Sequence, residues 1–475
     1  MRHLVYCLVL LLLLSFNPVF AIDDNPSINI LPDVPYYNDC IDSEQLFVLH
    51  LKNRHLENLY LLQQNNVTVY KIINNMAQVS THCDNLHFIN NLEFVDHIRR
   101  PSHPTTSEYT IESLDRLRIP EVHAAGLKGK DIKVVVIDTG FAPSNSEISQ
   151  NVIMSRSFCS SSIYCPLTPA PRHGTAVAEI IVDIAPDADL YLFDVGFAID
   201  TVDAIKYASE VIDADIISIS LGFNAQPTDG TGIIDQAIDD ARSLGTLTIL
   251  AAGNDGQQHF SQTFRNSENN WHLFDTGDSL DQRFEFEVES NWGSVILSWY
   301  DGGYENSINS RQDLDLYLYR KYSDGSTQLV DSSKDRQAWR VDLPYEAVNI
   351  KSTGSYFISI RNYSLTKEID FRLLWRCLCT PESYTPSGSV GSPASSKGGL
   401  TVGAIAWNEN TITSYSSQGP TQDGRIKPDV VAPSHVSTSI YGQISWANEG
   451  FSGTSASAPH VAGVAALIKS ANPSL

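Results

Sequence analysis

Two nearly unbroken apolar runs restrict this chain's possible folds more than any other feature. Val134-Val135-Val136-Ile137 ends in Asp138-Thr139-Gly140, and Leu247-Thr248-Ile249-Leu250-Ala251-Ala252 ends in Gly253-Asn254. A strand with one wet face alternates apolar and polar residues. A run without alternation needs cover on both faces, as in a parallel sheet with helices on each side. Further strands are expected at Ala188–Phe193 and Ile216–Ile219, with helical spacing after His173 and over Thr201–Ile212. Alternating strands and helices of this kind predict an α/β fold. Open α/β sheets place their ligands at the C-terminal strand ends, where Asp138 and Asn254 stand.

The pattern changes between residues 255 and 387. Phe284–Val288, Asp313–Tyr319 and Tyr356–Ile360 alternate, Val295–Trp299, Ala338–Leu343 and Phe371–Trp375 add short strands, and Asp301-Gly302-Gly303 and Ser323-Asp324-Gly325 mark turns. Such a series predicts an antiparallel β-sandwich. It is read as an insertion, because the α/β pattern resumes at Leu400–Ala404 after a Ser-, Gly- and Pro-rich stretch from Tyr384 to Lys397. Residues 22–106 form a small N-terminal α+β unit, joined by the linker from Pro101 to Ser107. The discontinuous α/β domain then takes residues 107–254 and 388–475.

Residues 1–21 have a basic start, an apolar core from Leu4 to Leu14, and Val19-Phe20-Ala21 before an acidic segment. These are the marks of a signal peptide, too short in its apolar core to span a bilayer. No later stretch is long enough to span. The expected location is extracellular, or periplasmic. Of seven cysteines, six follow Ala21, an even number that suits disulfides in an exported chain. Cys40–Cys83 and Cys159–Cys165 are the expected pairs, whereas Cys377 and Cys379 stand too close for an easy bridge. Acidic residues outnumber basic ones, 55 to 32, for a formal net charge of −23. That charge argues against nucleic acid as a partner.

Four residues carry the chemistry. Ser455 follows Gly453-Thr454, where the chain turns into a helix of small residues, and it meets the partial positive charge of a helix N-terminus. His173 opens another helix with Gly174-Thr175. Asp138 and Asn254 end strands. Each has an ordinary structural reading: a helix cap for Ser455, a loop cap for Asp138, a surface residue for His173, a turn for Asn254. Together they supply a nucleophile, a base, a group that orients the base, and an oxyanion donor.

The motifs around these residues resemble those of subtilisin-like serine proteases (subtilases, peptidase S8). They are Val136–Gly140, His173–Ala178, Ala251–Asn254 and Gly453–Gly463, supported by Ile216–Gly222, Ser416–Pro420 and Lys427–Pro433. Subtilisin carries its triad in the chain order Asp, His, Ser, and this sequence keeps that order. The resemblance implies a subtilisin-like parallel sheet with helices on both faces, and an acyl-enzyme mechanism using Asp138, His173 and Ser455 with Asn254 in the oxyanion hole. It also implies a substrate-binding strand at Ser220, Leu221 and Gly222, and a pocket flanked by Ala251, Ala252 and Gly253. Small residues there lead us to expect a roomy apolar pocket.

Protein or peptide substrates are implied, with no cofactor for the chemistry. Structural calcium is compatible with the family and with the acidic charge, without identifiable ligands. Residues 22–106 have the position of a propeptide acting as an intramolecular inhibitor. The insert resembles the β-sandwich domains that accompany bacterial secreted peptidases. Two departures stand out: Ala176 and Glu179 in the His motif, where many members have histidine and glycine, and Ala456 where Met is usual. A catalytically silent binding or adhesion module and an esterase are the alternative functions.

Overall fold

The apolar runs assemble into one seven-stranded parallel sheet. Its spatial order is Val430–Ser434, Leu400–Ala406, Leu247–Ala251, Ile216–Ile219, Lys133–Asp138, Asp189–Asp194 and Val152–Ser157. A computed structural model describes residues 45–53, 55–99, 104–105, 112–159, 172–224, 226–275, 280–301, 312–336, 344–442 and 450–475. The signal peptide, Cys40, Cys165 and the strand expected at Ala338–Leu343 lie outside the described residues.

The inner strand Lys133–Asp138 shows why no alternation was needed. Val134 and Val136 enter one apolar core, and Val135 and Ile137 enter another on the opposite face; all four are fully buried. The first core is covered by the helices Arg172–Ile184 and Thr454–Ala471, the second by Ala198–Tyr207 and Ile233–Ser243. The sheet is built outward in both directions from Lys133–Asp138, so the chain reverses its course between that strand and Ile216–Ile219. This switch point opens a crevice beyond the strand ends, with Asp138 on one side and Ser220 on the other.

Between Ala251 and Leu400 the described residues build a two-stranded ribbon of Phe274–Asp275 with Leu280–Asp281 and two larger antiparallel sheets. One has the order His259–Thr263, Asp370–Arg376, Gly293–Trp299, Tyr345–Ile350. The other runs Thr327–Ser333, Asp313–Lys321, Gly354–Ser364, Phe284–Val288, Cys379–Pro381. Leu314, Leu316 and Leu318 alternate into the space between the sheets, where Phe274, Phe284, Trp299, Phe371 and Trp375 are buried together. The sequence reading missed the strands Thr327–Ser333 and Tyr345–Ile350. The first is largely exposed and has few apolar residues to betray its period.

Cys377 and Cys379 are joined as a disulfide, which corrects the expectation that they stand too close. A bend at the end of the strand Asp370–Arg376 sets their Cα atoms 5.3 Å apart, a separation normal for a bridge. Cys159 is also held in a disulfide.

The N-terminal sheet is antiparallel, in the order Thr68–Ile73, Met76–Thr81, Gln45–Leu51, Val95–Arg99, with the helices Leu56–Gln64 and Leu86–Asn90. It has its own core around Phe47, Leu49, Val79 and Ile89. Leu46, Val48 and Met76 meet Phe197 and Ile199 in a second cluster. Beside it, Lys71 Nζ lies 3.1 Å from Asp200 Oδ1 and 3.1 Å from Asp203 Oδ2. Pro104–Thr105 pairs antiparallel with Gly222–Phe223. Among the described residues, no helix is long and apolar enough to cross a membrane.

Candidate active site

Asp138 is fully buried at its strand end, and His173 is nearly so. His173 Nδ1 lies 2.8 Å from both Asp138 Oδ1 and Oδ2. The backbone N–H of Thr139 donates to Oδ1 at 2.7 Å, and Thr139 Oγ1 donates to it at 3.2 Å. A carboxylate so held fixes the ring's orientation and keeps the Nδ1 proton on its own side. The helix can open this close to the strand because residue 174 is glycine. A Cβ there would stand 2.5 Å from Gly140 O and 2.9 Å from Asp138 Cβ. The outer face of the imidazole meets Phe451 edge-on, with ring centroids 5.0 Å apart.

Ser455 lies in the first turn of the helix Thr454–Ala471. Pro459 is inside that helix and has no N–H for the carbonyl four residues back, which is that of Ser455. The freed carbonyl accepts from Ser220 Oγ at 3.0 Å, while Ser455 Oγ donates to Ser220 O at 3.2 Å. The exchange locks the nucleophile candidate to the end of the strand Ile216–Ile219. The helix also packs closely on the His173 helix. At Gly463 a Cβ would come within 2.7 Å of Ile184 Cβ, so glycine is what permits the approach.

Asn254 Oδ1 accepts from Thr454 N at 2.9 Å and from Thr454 Oγ1 at 3.1 Å. Two donors on one atom identify it as the oxygen and leave Nδ2 available as a donor. Thr454 Oγ1 also accepts from Gly253 N at 3.0 Å. Asn254 and Ser455 line one cavity of about 710 Å³ together with Ser220, Leu221, Gly222, Ala251, Ala252 and Gly253. Every residue expected to bind substrate is therefore on this cavity, whereas Asp138 and His173, paired with each other, are not among the residues that line it. The arrangement can deliver a serine hydroxyl and an amide N–H to one carbonyl group, with an oriented imidazole for proton transfer.

Three features escaped the sequence reading. Thr454 orients Asn254, and nothing short of the fold signals it. The link between Ser220 and Ser455 was foreshadowed by a proline four residues after the serine. The cavity is roomy but not apolar throughout, because Asp255, Arg372 and Arg376 also line it. The lining is otherwise largely apolar, and the charged groups are an addition that small residues alone do not announce, because the second half of the wall comes from distant sequence. Among the described residues, no group of three or more His, Cys, Asp or Glu is placed to hold a metal ion.

Residues 129–369 and 378–475 match the model of the Subtilase family, Peptidase_S8. Subtilisin DY of Bacillus licheniformis is 31% identical over 162 residues, covering 31% of this chain and 56% of that protein. The major intracellular serine protease of Bacillus subtilis is 32% identical over 163 residues, covering 30% and 50%. The chain thus spans about half the length of the curated relatives it matches. The Clostridium perfringens CspB protease shares the fold, with a TM-score of 0.52 at 18% identity over 76% of this chain and 86% of that one. With the family model matching more than half its length, the chain belongs to the subtilase family.

Proposed function

We propose that this chain is an exported serine endopeptidase. Ser455 attacks the scissile carbonyl. His173 takes its proton and returns it to the leaving amine, and Asp138 holds the imidazole. Asn254 Nδ2 and the backbone N–H of Ser455 receive the oxyanion. One observation carries the reading: Ser455 and an Asn254 anchored through its oxygen line one cavity, while His173 is bonded to a buried Asp138 at 2.8 Å. The substrate backbone adds to the edge at Ser220–Gly222 as an extra strand.

Residues 22–106 act in this proposal as a propeptide and intramolecular inhibitor. The pairing of Pro104–Thr105 with Gly222–Phe223 supports it, since that edge is where substrate would lie. The antiparallel register runs the chain from Thr105 toward Ser220 and Ser455, so self-cleavage is expected within residues 106–110. The domain partition, with 255–387 as an insert in the catalytic domain, belongs to the same proposal.

The test is labelling with a serine-directed fluorophosphonate, followed by mass spectrometry, on the whole chain and on Ser455→Ala. An adduct on Ser455, and a cut in the linker that the variant lacks, is the expected result. A folded chain that takes no label would overturn the reading in favour of a silent binding module.

A further inference from the structure

Strand periodicity brings two arginines to the wall of the cavity. In Asp370–Arg376, Phe371, Leu373 and Trp375 enter the core of the sandwich. The intervening residues Arg372, Leu374 and Arg376 therefore share the opposite face, and all three line the cavity that holds Ser455 and Asn254. Arg376 is already neutralised. Its Nη1 and Nη2 bond the two oxygens of Asp255, and Nε and Nη2 donate to Asn224 Oδ1 at 2.9 and 2.8 Å.

Arg372 is not. It is only 8% exposed. Its Nη1 donates to Thr228 Oγ1 at 3.0 Å and to Val390 O at 3.5 Å, and Nη2 donates to Ser298 Oγ at 3.5 Å. Its Nε has no hydrogen-bond partner, and no carboxylate among the described residues pairs with it. Burial lowers its pKa to about 10, so it is still a cation at neutral pH. A buried guanidinium whose hydrogen bonds all go to neutral acceptors, with Asp255 acting on it only through space, is a charge without a direct partner, and its natural complement is a carboxylate.

We propose that Arg372 selects an acidic side chain, Glu or Asp, at the residue before the scissile bond. The inference rests on the protease reading above and names the substrate class for it. Leu374 supports the methylenes, and the second wall is Ser220–Gly222 and Ala251–Gly253. Asp255 faces the same space and stabilises the Arg372 cation through space, but its direct bonds go to Arg376, so the Arg372 guanidinium still lacks a bonded carboxylate.

The experiment uses the full chain and C-terminally amidated fluorogenic peptides that differ only before the cut, with Glu, Gln, Leu or Lys there. Amidation ensures that any carboxylate preference comes from the side chain. We expect kcat/KM for Glu to exceed that for Gln at least tenfold at neutral pH, with Lys slowest. In Arg372→Met the Glu-to-Gln ratio should fall close to one, and Arg372→Lys should keep part of it. The ratio within each variant cancels any general loss of activity. If Arg372→Met does not fold, the wild-type ratio and Arg372→Lys decide. Leu turned over as well as Glu by the wild type, or a Glu preference that survives in Arg372→Met, would overturn the assignment. Fluorophosphonate labelling of Ser455 without cleavage of the Glu peptide would also overturn it and leave the protease reading standing. Absence of labelling would sink the protease reading itself. The self-processing cut gives a second readout. Glu108 is the sole acidic residue in 101–110, so the mature chain should begin at Tyr109.

Discussion

The parallel sheet and the antiparallel sandwich bury their polar groups in different places. In the parallel-sheet region those of the candidate site stand at or next to strand ends and are tied to one another or to a helix start: Asp138 to His173, Ser220 to Ser455, Asn254 to Thr454. In the sandwich the space between the sheets is filled mainly by aromatic and aliphatic side chains, with His272 among them, and the buried arginine lies on an outer face. A parallel sheet thus offers chemistry where its strands stop. The sandwich offers a wall, one side chain in two along a strand. In this molecule the two meet at one cavity.

Substitutions on the two sides should therefore differ in kind. The largest effect is expected from Asp138→Asn. The amide keeps an acceptor for the Thr139 N–H but presents the wrong group to His173, and kcat/KM should fall by about 10⁴. Activity within tenfold of wild type would break the assignment of chemistry to the strand ends. Asn254→Ala removes one oxyanion donor and should lower kcat by about 10²–10³, with KM nearly unchanged. A rise in KM alone would move Asn254 from transition-state stabilisation to ground-state binding. Wall substitutions such as Arg372→Met should instead redistribute kcat/KM among substrates.

The same contrast governs what was legible in the sequence. Val134–Ile137 could be read as a strand covered on both faces because it does not alternate, and the strand-end residues came with it. Leu314, Leu316 and Leu318 announced a sandwich by alternating. Neither pattern says which face of Asp370–Arg376 turns toward Ser455, since the sequence distance between Arg372 and Ser455 is bridged only by tertiary packing. Asp200 is similar. It accepts from Phe197 N at 3.0 Å and meets Lys71 of the N-terminal sheet, a pairing set by how two cores dock. The Cys377–Cys379 bridge depended on a local bend that spacing alone does not reveal.

Acid should separate the two regions. Burial holds His259 down to about 4 and His272 to about 3, both in the sandwich. Their folded pKa values lie below the ordinary 6.5, so the stability they permit is present above 6.5 and is lost as the pH falls toward 4. Together they withdraw on the order of 5 kcal/mol by pH 4. Asp315, raised by burial, offsets part of this. In the parallel-sheet region His460, at about 4, acts in the same sense, but Glu179 and Asp235 are both raised to about 7 by burial and favour acid. The sandwich should unfold first on acidification. Trp299 and Trp375 report it by fluorescence, since both are buried there; helical circular dichroism reports the other region. Coincident loss of both signals, or earlier loss of helix, would erase the distinction.

The smallest effect sharpens the contrast within the parallel-sheet region. Glu179 stands where many family members have glycine, and it is buried in the His173 helix. Its oxygens accept from Ser439 N at 2.9 Å and Ser439 Oγ at 2.5 Å. Glu112 grips Ser437 in the same two-point way, at 2.8 and 2.5 Å. The segment they anchor supports His173: Ile440 O accepts from Arg172 Nη2 at 2.9 Å, and Tyr441 stacks on Phe451, which meets His173. Burial raises Glu179 from 4.5 to about 7 against the pull of the Ser439 donors. The folded chain thus holds that proton more tightly than the unfolded one. The stability this contributes is fully present below pH 4.5 and is lost as the pH rises through 7. Glu179→Gln cannot titrate, so the gap in denaturant midpoint between wild type and variant should shift in the variant's favour from pH 5 to pH 8. Asp235 is common to both and cancels. A gap that does not move with pH would mean that Glu179 stays ionised through this range, held by Ser439 strongly enough to outweigh its burial.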